Sequence, residues 1–381
     1  MGSEQYLKRA RREPRTGKVD ALLDAKLKGV EWGEFRFTKL FKLLNIKNKF
    51  VKSELSNIGE FPVYSSETTN NGIIGYIKNN ADFIINVENP IYVVFGDHTR
   101  SFNIATKSFS VADNVKVLTV LNKEITINSL SFILSSWKKC IPNKGYSRHW
   151  SLAKGVSFNL PTKNNKIDFE FMENFIAELE AQKIARLDAY LMKNDLKEYR
   201  LNKEEEDVLK DFESGNIEWD SFNLKELFGK STRGKRLKSD DRISGDLPFV
   251  TAGETDEGVS AFIGNSVTIF PKNTTTIDMF GSAKYRNYEY GGDDHIAVVP
   301  TQNLAKHASI FVTTSIHKSA HTGEFDYGRN FYAKDADELN ISLPTKNKQP
   351  DYTLMQTLIS AIQKLVIKDV VLYLDKKAVS K

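Results

Sequence analysis

The sequence contains one long stretch twice, and this repeat constrains the fold more than any other feature. Residues 160–193 and 343–376 align without a gap, and both begin Leu-Pro-Thr-Lys-Asn. A proline keeps the residue before it extended, and an Asp followed by apolar residues at helical spacing is typical of a helix N-cap. Asp168 and Asp351 stand at this position in the two copies. We therefore predict that each copy begins a long helix capped by its Asp.

The two predicted helices carry similar rows of mostly apolar residues. Spacings of three and four place each row on one helix face. The rows are Met172, Ile176, Leu179, Lys183, Leu187 and Tyr190 in the first copy and Met355, Ile359, Ile362, Val366, Val370 and Tyr373 in the second. One such face most often packs on the core of its own domain. Because the two faces are alike, we expect the two helices to pack antiparallel on each other.

The repeat extends upstream of each helix through a region of short apolar runs separated by Gly, Asn, Pro and Ser. Such runs predict strands and turns. The matching positions, in the same order in both halves, are Trp32 with Trp219, Pro62 with Pro248, Gly72 with Gly258, Phe95-Gly96-Asp97 with Phe280-Gly281-Ser282, Asp113-Asn114 with Asp294-His295, and Tyr146, Arg148 and Trp150 with Tyr327, Arg329 and Phe331. The predicted fold class is α+β. Two strand-rich domains are related by internal duplication and separated by two long antiparallel spacer helices.

Composition excludes several classes of protein. A chain of 381 residues favours two domains, and its net charge of +5 permits a polyanionic partner without requiring one. The single cysteine, Cys140, excludes a disulfide framework, and six scattered histidines form no metal-binding pattern. The sequence has no apolar run long enough to cross a bilayer. We predict a cytoplasmic protein without a metal, a cofactor or a membrane partner.

Duplication itself makes DNA a candidate ligand. Two copies of one unit with antiparallel helices fold like an isologous dimer, with a pseudo-twofold axis. Duplex DNA also has twofold axes, and a twofold protein places two reading surfaces on two half-sites. The two halves differ in most polar residues between the matching positions. Two different surfaces on one axis would read a split, asymmetric DNA sequence.

From about Trp32 to the C-terminus the sequence resembles the specificity subunit of type I restriction–modification systems and of the related type IIB systems. The resemblance rests on Glu31-Trp32 with Leu40-Phe41, on residues 61–77 and 93–118, and on the Leu-Pro-Thr that begins each spacer. The second half departs from the pattern at Phe280-Gly281-Ser282 and at Asp294-His295-Ile296.

The resemblance implies a non-catalytic subunit that binds a two-part sequence in double-stranded DNA. It implies partners that carry the chemistry, namely DNA adenine methyltransferase subunits and, in some systems, a restriction subunit that is a translocase and nuclease. The expected organisation is a basic leader (1–30), a first target-recognition domain (31–160), a first spacer region (161–215), a second target-recognition domain (216–343) and a second spacer region (344–381).

Candidate DNA-binding residues are polar side chains in turns, suited to base edges, and cations suited to phosphates. In the first half they are Ser65, Ser66, Thr68, Asn70, Asn71, His98, Thr99, Arg100, Lys107 and Arg148. In the second half they are Lys230, Arg233, Lys235, Arg236, Lys238, Thr251, Glu254, Lys284, Arg286 and Arg329. Thr251 and Glu254 match Ser65 and Thr68, and we place Lys284 and Arg286 near the position of residues 98–100.

Each candidate has an alternative interpretation. A turn residue of this kind is often only solvated. The twin residues Arg148 and Arg329 stand between aromatics, so a guanidinium stacked on a ring is as good an expectation as DNA contact. The basic run at residues 230–238 is the strongest electrostatic signal for phosphate binding.

Two other functions remain open on the residues alone. A scaffold for protein or carbohydrate would show no salt-dependent affinity for DNA, whereas binding dominated by phosphates weakens steeply with salt. A nuclease with an unusual metal site would degrade a plasmid by itself in a metal-dependent way. Neither alternative explains two diverged copies on a rigid spacer.

Overall fold

The computed structural model describes residues 17–78 and 80–379. Described residues up to Leu187 form one compact unit, here called the N-terminal unit, and those from Asp188 onward form the C-terminal unit. The cations of the predicted leader, Lys8, Arg9, Arg11, Arg12 and Arg15, lie outside the described residues. Within the described part, no helix is long and apolar enough to span a membrane.

Both units combine helices with long runs of consecutive strands. The helices are α1 (Gly17–Lys28), α2 (Ile127–Cys140), α3 (Trp150–Ala153), α4 (Phe169–Lys193), α5 (Lys203–Glu213), α6 (Leu224–Phe228), α7 (Lys306–Ala320), α8 (Ala333–Glu338) and α9 (Tyr352–Val379). The strands of the N-terminal unit are β1 (Glu31–Arg36), β2 (Phe41–Leu44), β3 (Phe61–Tyr64), β4 (Ile73–Ile77), β5 (Tyr92–Gly96), β6 (Phe102–Ala105), β7 (Ser110–Val111), β8 (Val115–Val120), β9 (Ser157–Lys163) and β10 (Lys166–Ile167). The strands of the C-terminal unit are β11 (Trp219–Asn223), β12 (Thr232–Arg233), β13 (Ser244–Val250), β14 (Val259–Ile263), β15 (Ile269–Phe270), β16 (Thr274–Asp278), β17 (Ala283–Arg286), β18 (Tyr290–Gly292), β19 (Ile296–Val299), β20 (Asn340–Lys346) and β21 (Gln349–Pro350).

The sheets of the two units have corresponding strand orders. The N-terminal unit has sheets β1-β9-β10, β2-β8-β5-β6 and β4-β3-β7. The C-terminal unit has sheets β11-β20-β21, β12-β19-β16-β17 and β14-β13-β18-β15. Trp32 pairs with Pro161 in the first unit, and Trp219 pairs with Pro344 in the second. The duplication and the α+β class predicted from the sequence are therefore confirmed.

The larger core of the N-terminal unit lies between the four-stranded sheet, α2 and the start of α4. Trp137 of α2 is fully buried, stacks on Phe37 and Phe158, and donates its indole N–H to the carbonyl of Ala153 at 2.9 Å. A buried indole needs such a partner, because an unsatisfied N–H in an apolar core is costly. This core holds the four-stranded sheet in place and thereby positions the turns at its edge.

Both predicted helix caps are present. Asp168 Oδ1 accepts a hydrogen bond from the amide of Phe171 at 2.8 Å, and Asp351 Oδ1 accepts one from the amide of Leu354 at 2.9 Å. These bonds satisfy amides that have no partner within the helix.

The predicted apolar faces are correct in the first turns and wrong further along. Met172 and Met355 are fully buried, as expected, but Val366 is 75% exposed. The buried residues of α9 include Leu358 and Ala361 instead. The reason is that α5 and α7 pack on α9 from within the same unit and select the face that is covered. Antiparallel packing of the two long helices stays a prediction.

Candidate nucleic-acid interface

Each unit carries a loop of the same length between the two strands of a hairpin. We call residues 65–72 and residues 251–258 the reading loops. The amide of Ser65 donates to the carbonyl of Gly72 at 2.8 Å, and the amide of Thr251 donates to the carbonyl of Gly258 at 2.8 Å. The predicted match of Thr251 with Ser65 is therefore confirmed in the backbone.

The ends of both reading loops adopt the left-handed conformation over three successive residues. The φ angles are 46°, 52° and 77° for Asn70, Asn71 and Gly72, and 50°, 56° and 81° for Asp256, Glu257 and Gly258. A Cβ on Gly72 would lie 2.4 Å from Nδ2 of Asn103, so a side chain there would require that amide to move and would also adopt a strained positive φ. The two loops share the backbone conformation of their ends but present different polar groups, which is what two reading surfaces of different specificity require.

Within the first reading loop the predicted residues differ in exposure. Thr68, Asn70 and Asn71 are exposed. Ser65 is buried and its hydroxyl accepts a hydrogen bond from the amide of Glu67 at 3.1 Å, so it shapes the loop. Ser66 is half-buried at the loop's base.

The turn between β5 and β6 lies against this loop. The amide of His98 donates to Ser66 Oγ at 3.1 Å, and the hydroxyl of Thr99 donates to the carbonyl of Ser66 at 2.8 Å. The structure thus brings the loop and turn residues predicted from the sequence together. Arg100 extends the other way, and its Nη1 donates to the carbonyl of Ile141 at 2.8 Å beyond the end of α2.

Lys107 is not part of this group. It is exposed and follows β6, whose last residue, Ala105, pairs with Tyr92 at the start of β5. The turn lies at the opposite end of the same hairpin, next to the pair of Phe95 with Phe102. Lys107 therefore lies away from the reading loop.

The corresponding hairpin of the C-terminal unit corrects one sequence match. Gly96 pairs with Val115, and the equivalent pair is Asp278 with Ile296, so Gly96 corresponds to Asp278 and not to Gly281. The turn here comprises residues 279–281 and is one residue shorter than the turn at 97–100.

The predicted places of Lys284 and Arg286 change with this register. Lys284 corresponds to Asn103 and Arg286 to Ala105, both on the second strand of the hairpin and beyond the turn. The sequence match placed them near residues 98–100, and the register puts them three and five positions beyond Arg100. Turns of unequal length shift all residues that follow them, and the sequence match did not allow for this.

Lys284 nevertheless reaches the second reading loop. Its Nζ lies 3.1 Å from Glu254 Oε1 and 3.7 Å from Asp278 Oδ2. Hydrogen bonds from Ser282 and Lys284 lower the pKa of the Glu254 carboxyl, so Glu254 is anionic at neutral pH. Exposed Glu254 and half-buried Thr251 therefore present hydrogen-bond acceptors on this loop, next to a cation.

Arg286 is a structural residue of the hairpin. It is 1% exposed, its Nε donates to Thr276 Oγ1 at 2.9 Å, and its Nη1 donates to the hydroxyl of Tyr288 at 3.0 Å. A guanidinium that is buried and held in this way does not have the exposed position that DNA contact needs.

The basic run surrounds the edge strand β12 of the C-terminal unit. Its five cations are all exposed: Lys230, Arg233, Lys235, Arg236 and Lys238. The guanidinium of Arg233 lies 5.9 Å from the ring centroid of Tyr332. Arg236 and Lys238 line a shallow cavity of about 330 Å³ together with His295. Exposed cations grouped on one strand edge suit the phosphates of a duplex.

Sequence reasoning missed a small group of potential metal ligands beside this cavity. The ligand atoms of Asp293, Asp294 and His295 lie within 4.8 Å of one another. Asp293 Oδ1 accepts a hydrogen bond from the amide of Leu237 at 3.2 Å, and His295 Nδ1 lies 3.2 Å from Asp294 Oδ1. These residues are half-buried near the surface, and we propose no metal there.

Sequence reasoning also missed two exposed tyrosines next to the turns. The ring of Tyr146 stacks on His98 with centroids 4.6 Å apart and an interplanar angle of 6°. The ring of Tyr327 meets Phe280 edge to face at 5.3 Å. The matching Tyr146 and Tyr327 in the two halves were the signal that could have identified them.

The twin arginines have different neighbours. Arg329 lies over the ring of Phe325 at 5.1 Å, which confirms ring stacking for this residue. Arg148 instead donates from Nη2 to Asn114 Oδ1 at a long 3.4 Å. Both side chains are exposed.

Comparison with known proteins identifies the family of this two-copy architecture. The family of the type I restriction modification DNA specificity domain matches residues 29–189 and again residues 216–372. The chain belongs to this family. Each match ends in one of the long helices and includes one reading loop.

A curated relative and a solved structure agree with this assignment. The specificity subunit S.BcgI of a type II restriction enzyme from Heyndrickxia coagulans is 21% identical over 348 residues, covering 89% of this chain and 96% of the relative. The crystal structure of the S subunit of a type I restriction–modification system from M. genitalium has the same fold, with a TM-score of 0.58 at 16% identity over 92% of this chain and 93% of that chain.

The protein is therefore a specificity subunit, the DNA-recognition component of a restriction–modification system. The scaffold alternative has no support in these comparisons. The function expected from the sequence is confirmed at this level.

Proposed function

We propose that the protein reads an asymmetric two-part DNA site, with the domain at residues 31–160 on one half-site and the domain at residues 216–343 on the other. The observation that carries the proposal is the pair of reading loops, which have equal length and the same backbone conformation at their ends but differ in their side chains. Equivalent positions in the two domains give both loops the same approach to a groove. Different side chains give them different half-sites.

The exposed groups of each loop suit different bases. In the first loop Asn71 and Thr68 are exposed and can face a groove, while the side-chain amide of Asn70 donates to the carbonyl of Ile73 at 3.2 Å. An Asn amide can pair with both N6 and N7 of adenine. In the second loop the anionic Glu254 suits the N4 amino group of cytosine. We therefore expect an adenine in the half-site of the first domain and a cytosine in that of the second.

The basic run supplies contacts of another kind. Lys230, Arg233, Lys235, Arg236 and Lys238 suit phosphates, which position a protein on a duplex without reading its sequence. This division agrees with the position of the run outside the reading loop.

The chemistry would belong to partner subunits. We propose that this chain is non-catalytic and presents its site to DNA adenine methyltransferase subunits and, in systems that also restrict, to a subunit with translocase and nuclease activity. Its relatives carry names of type II and type I specificity subunits, which supports such an assembly. The role would place the protein in the cytoplasm, with the DNA.

Methylome sequencing tests the proposal. A host that expresses this chain with its neighbouring methyltransferase should gain a methylated adenine within a two-part motif of fixed gap. Replacing residues 65–72 with the sequence of residues 251–258, a loop of equal length, should change one half of the motif and leave the other half and the gap intact. Val87→Ala, at an exposed position outside both loops, is the control.

Other outcomes are equally informative. A stable complex with the methyltransferase but no new motif would indicate a regulator or decoy. If neither a new motif nor a complex with the methyltransferase is found, a scaffold that binds protein or carbohydrate would be the better hypothesis. A graft that alters both halves of the motif would refute the assignment of one half-site to each domain.

A further inference from the structure

Two side chains near each turn occur at the same spacing in both halves. They are Tyr146 with Arg148 in the N-terminal unit and Tyr327 with Arg329 in the C-terminal unit. The tyrosines are 89% and 86% exposed, and both arginines are exposed. A solvent-exposed side chain adds little to the hydrophobic core, so core packing does not account for its presence in both copies.

The supporting contacts differ although the presented residues are the same. The ring of His98 stacks parallel to Tyr146, whereas the ring of Phe280 contacts Tyr327 edge to face at an interplanar angle of 83°. What the two halves have in common is an exposed tyrosine held against the turn. Its environment has diverged.

Each tyrosine stands at the flank of a reading loop. In the N-terminal unit His98 joins Tyr146 to the loop, because the amide of His98 donates to Ser66 Oγ at 3.1 Å. In the C-terminal unit the hairpin that carries Phe280 meets the loop where the amide of Gly253 donates to Asp278 Oδ2 at 3.3 Å. A duplex that contacts either reading loop would pass close to the adjacent tyrosine and arginine.

We propose that Tyr146 with Arg148, and Tyr327 with Arg329, bind the sugar–phosphate backbone of duplex DNA beside each half-site, irrespective of base sequence. This inference rests on the proposed function. Two domains that read different bases need the same placement on the duplex, and contacts common to both carry no information about either half-site.

The chemistry of the pair fits this role. The guanidinium binds a phosphate, and the phenol hydroxyl donates to a phosphate oxygen. In Tyr146 the stacked His98 covers one ring face and leaves the other face free to pack on a deoxyribose. The rigid backing lowers the entropy lost when the ring is immobilised against DNA.

Binding of the full-length chain to labelled duplexes tests the inference. One duplex carries the methylated motif and a second, of equal length, has both half-sites scrambled. The wild-type chain must prefer the motif, and its failure to do so would count against the proposed function and not against the backbone contacts. Tyr146→Ala, Arg148→Ala, Tyr327→Ala and Arg329→Ala are then measured on both duplexes over a series of salt concentrations.

We expect each variant to weaken binding to both duplexes by the same factor, roughly tenfold for loss of a hydrogen bond to a charged phosphate. The preference for the motif stays unchanged. Each arginine variant should also reduce the slope of log affinity against log salt by about one. Val87→Ala, at an exposed position outside both reading loops, is the control and should leave both affinities unchanged.

Tyr146→Phe removes the hydroxyl and keeps the ring, so it measures the contribution of the hydroxyl alone. It also replaces Tyr146→Ala as the test if the alanine variant lowers Tm. If a variant weakens only the motif duplex or alters the methylated motif, the residue reads bases and the inference is wrong. If all four variants bind both duplexes like the wild type, the tyrosines and arginines do not contact DNA.

Discussion

The ammonium of Lys364 lies 2.8 Å from Oε2 of Glu205, whose side chain is only 5% exposed. The other carboxylate oxygen of Glu205 accepts a hydrogen bond from Ser360 at 2.8 Å. The pair joins the short helix α5 to the long helix α9 within the C-terminal unit. It therefore fixes the segment that leads into the second recognition domain.

Removing the charge of Glu205 should destabilise the C-terminal unit. We expect Glu205→Gln to lower the free energy of unfolding by about 2 kcal/mol, because Lys364 would lose its charged partner in a largely buried site and keep only the carbonyl of Arg200 at 3.2 Å. Denaturant unfolding measures this change. Glu204→Gln, at the exposed neighbouring position, should change it by less than about 0.5 kcal/mol. Equal effects of the two variants would show that the buried ion pair does not stabilise α5 on α9.

The same pair predicts a pH dependence. Burial raises the pKa of Glu205, but hydrogen bonds from Lys364, the amide of Asn202 and Ser360 outweigh it and lower the pKa below its ordinary value of 4.5. A carboxyl with a depressed pKa stabilises the fold above its unfolded pKa, and this contribution is lost as the pH falls through the folded pKa. The difference in unfolding free energy between wild type and Glu205→Gln should therefore shrink below about pH 4.5. A difference that is constant from pH 7 to pH 3 would contradict this.

Each long helix depends on its cap. Asp168→Ala and Asp351→Ala should each lower stability by about 1 kcal/mol, because the capped amide loses its acceptor. Asp168→Asn and Asp351→Asn keep an accepting oxygen and should recover most of the loss. Thermal unfolding followed by circular dichroism compares the four variants. Asn variants as unstable as the alanine variants would show that charge matters more than the hydrogen bond.

The two glycines that end the reading loops should differ in how much replacement by alanine destabilises the protein. A Cβ on Gly258 would lie 2.6 Å from the carbonyl oxygen of Thr251, whereas one on Gly72 would meet the movable amide of Asn103. We expect Gly258→Ala to be the more destabilising and to weaken recognition of one half-site only. Gly145→Ala is the control, since Gly145 has a φ of 65° and no atom near its Cβ position. Backbone strain alone should then lower its free energy of unfolding by about 1 kcal/mol. Thermal unfolding and methylome sequencing measure the two effects, and equal losses for the three variants would show that strain alone decides.

The exposed basic run should act through phosphates. Lys235→Ala, Arg236→Ala and Lys238→Ala should each weaken binding to any duplex and reduce the salt slope by about one. Lys210→Ala, at an exposed position on α5, serves as a control of equal charge change. Affinity titrations at several salt concentrations give the slopes. An affinity loss confined to the motif duplex would mean that these cations read bases.

Much of the architecture was predictable because it depends on local signals. The helix starts at Asp168 and Asp351 follow from capping chemistry. The ends of the reading loops at Gly72 and Gly258 follow from a backbone conformation that favours glycine. The candidate residues of these loops could be proposed because turn residues stand out between apolar runs.

Other features could not be predicted from the sequence, because contacts between residues far apart in the chain determine them. The unequal hairpin turns moved Lys284 and Arg286 beyond the place where the sequence match put them. Burial of Arg286 depends on Thr276 and Tyr288, which local spacing does not reveal.

The sequence by itself determined that this protein is a tandem duplication with two capped helices and two glycine-ended loops, because capping, turn formation and repetition are properties of neighbouring residues. Only the tertiary structure decided which face of α9 is covered, which cation is buried, and that Tyr146 and Tyr327 are held exposed against the turns. Those outcomes depend on packing between elements far apart in the chain, which no short sequence pattern encodes.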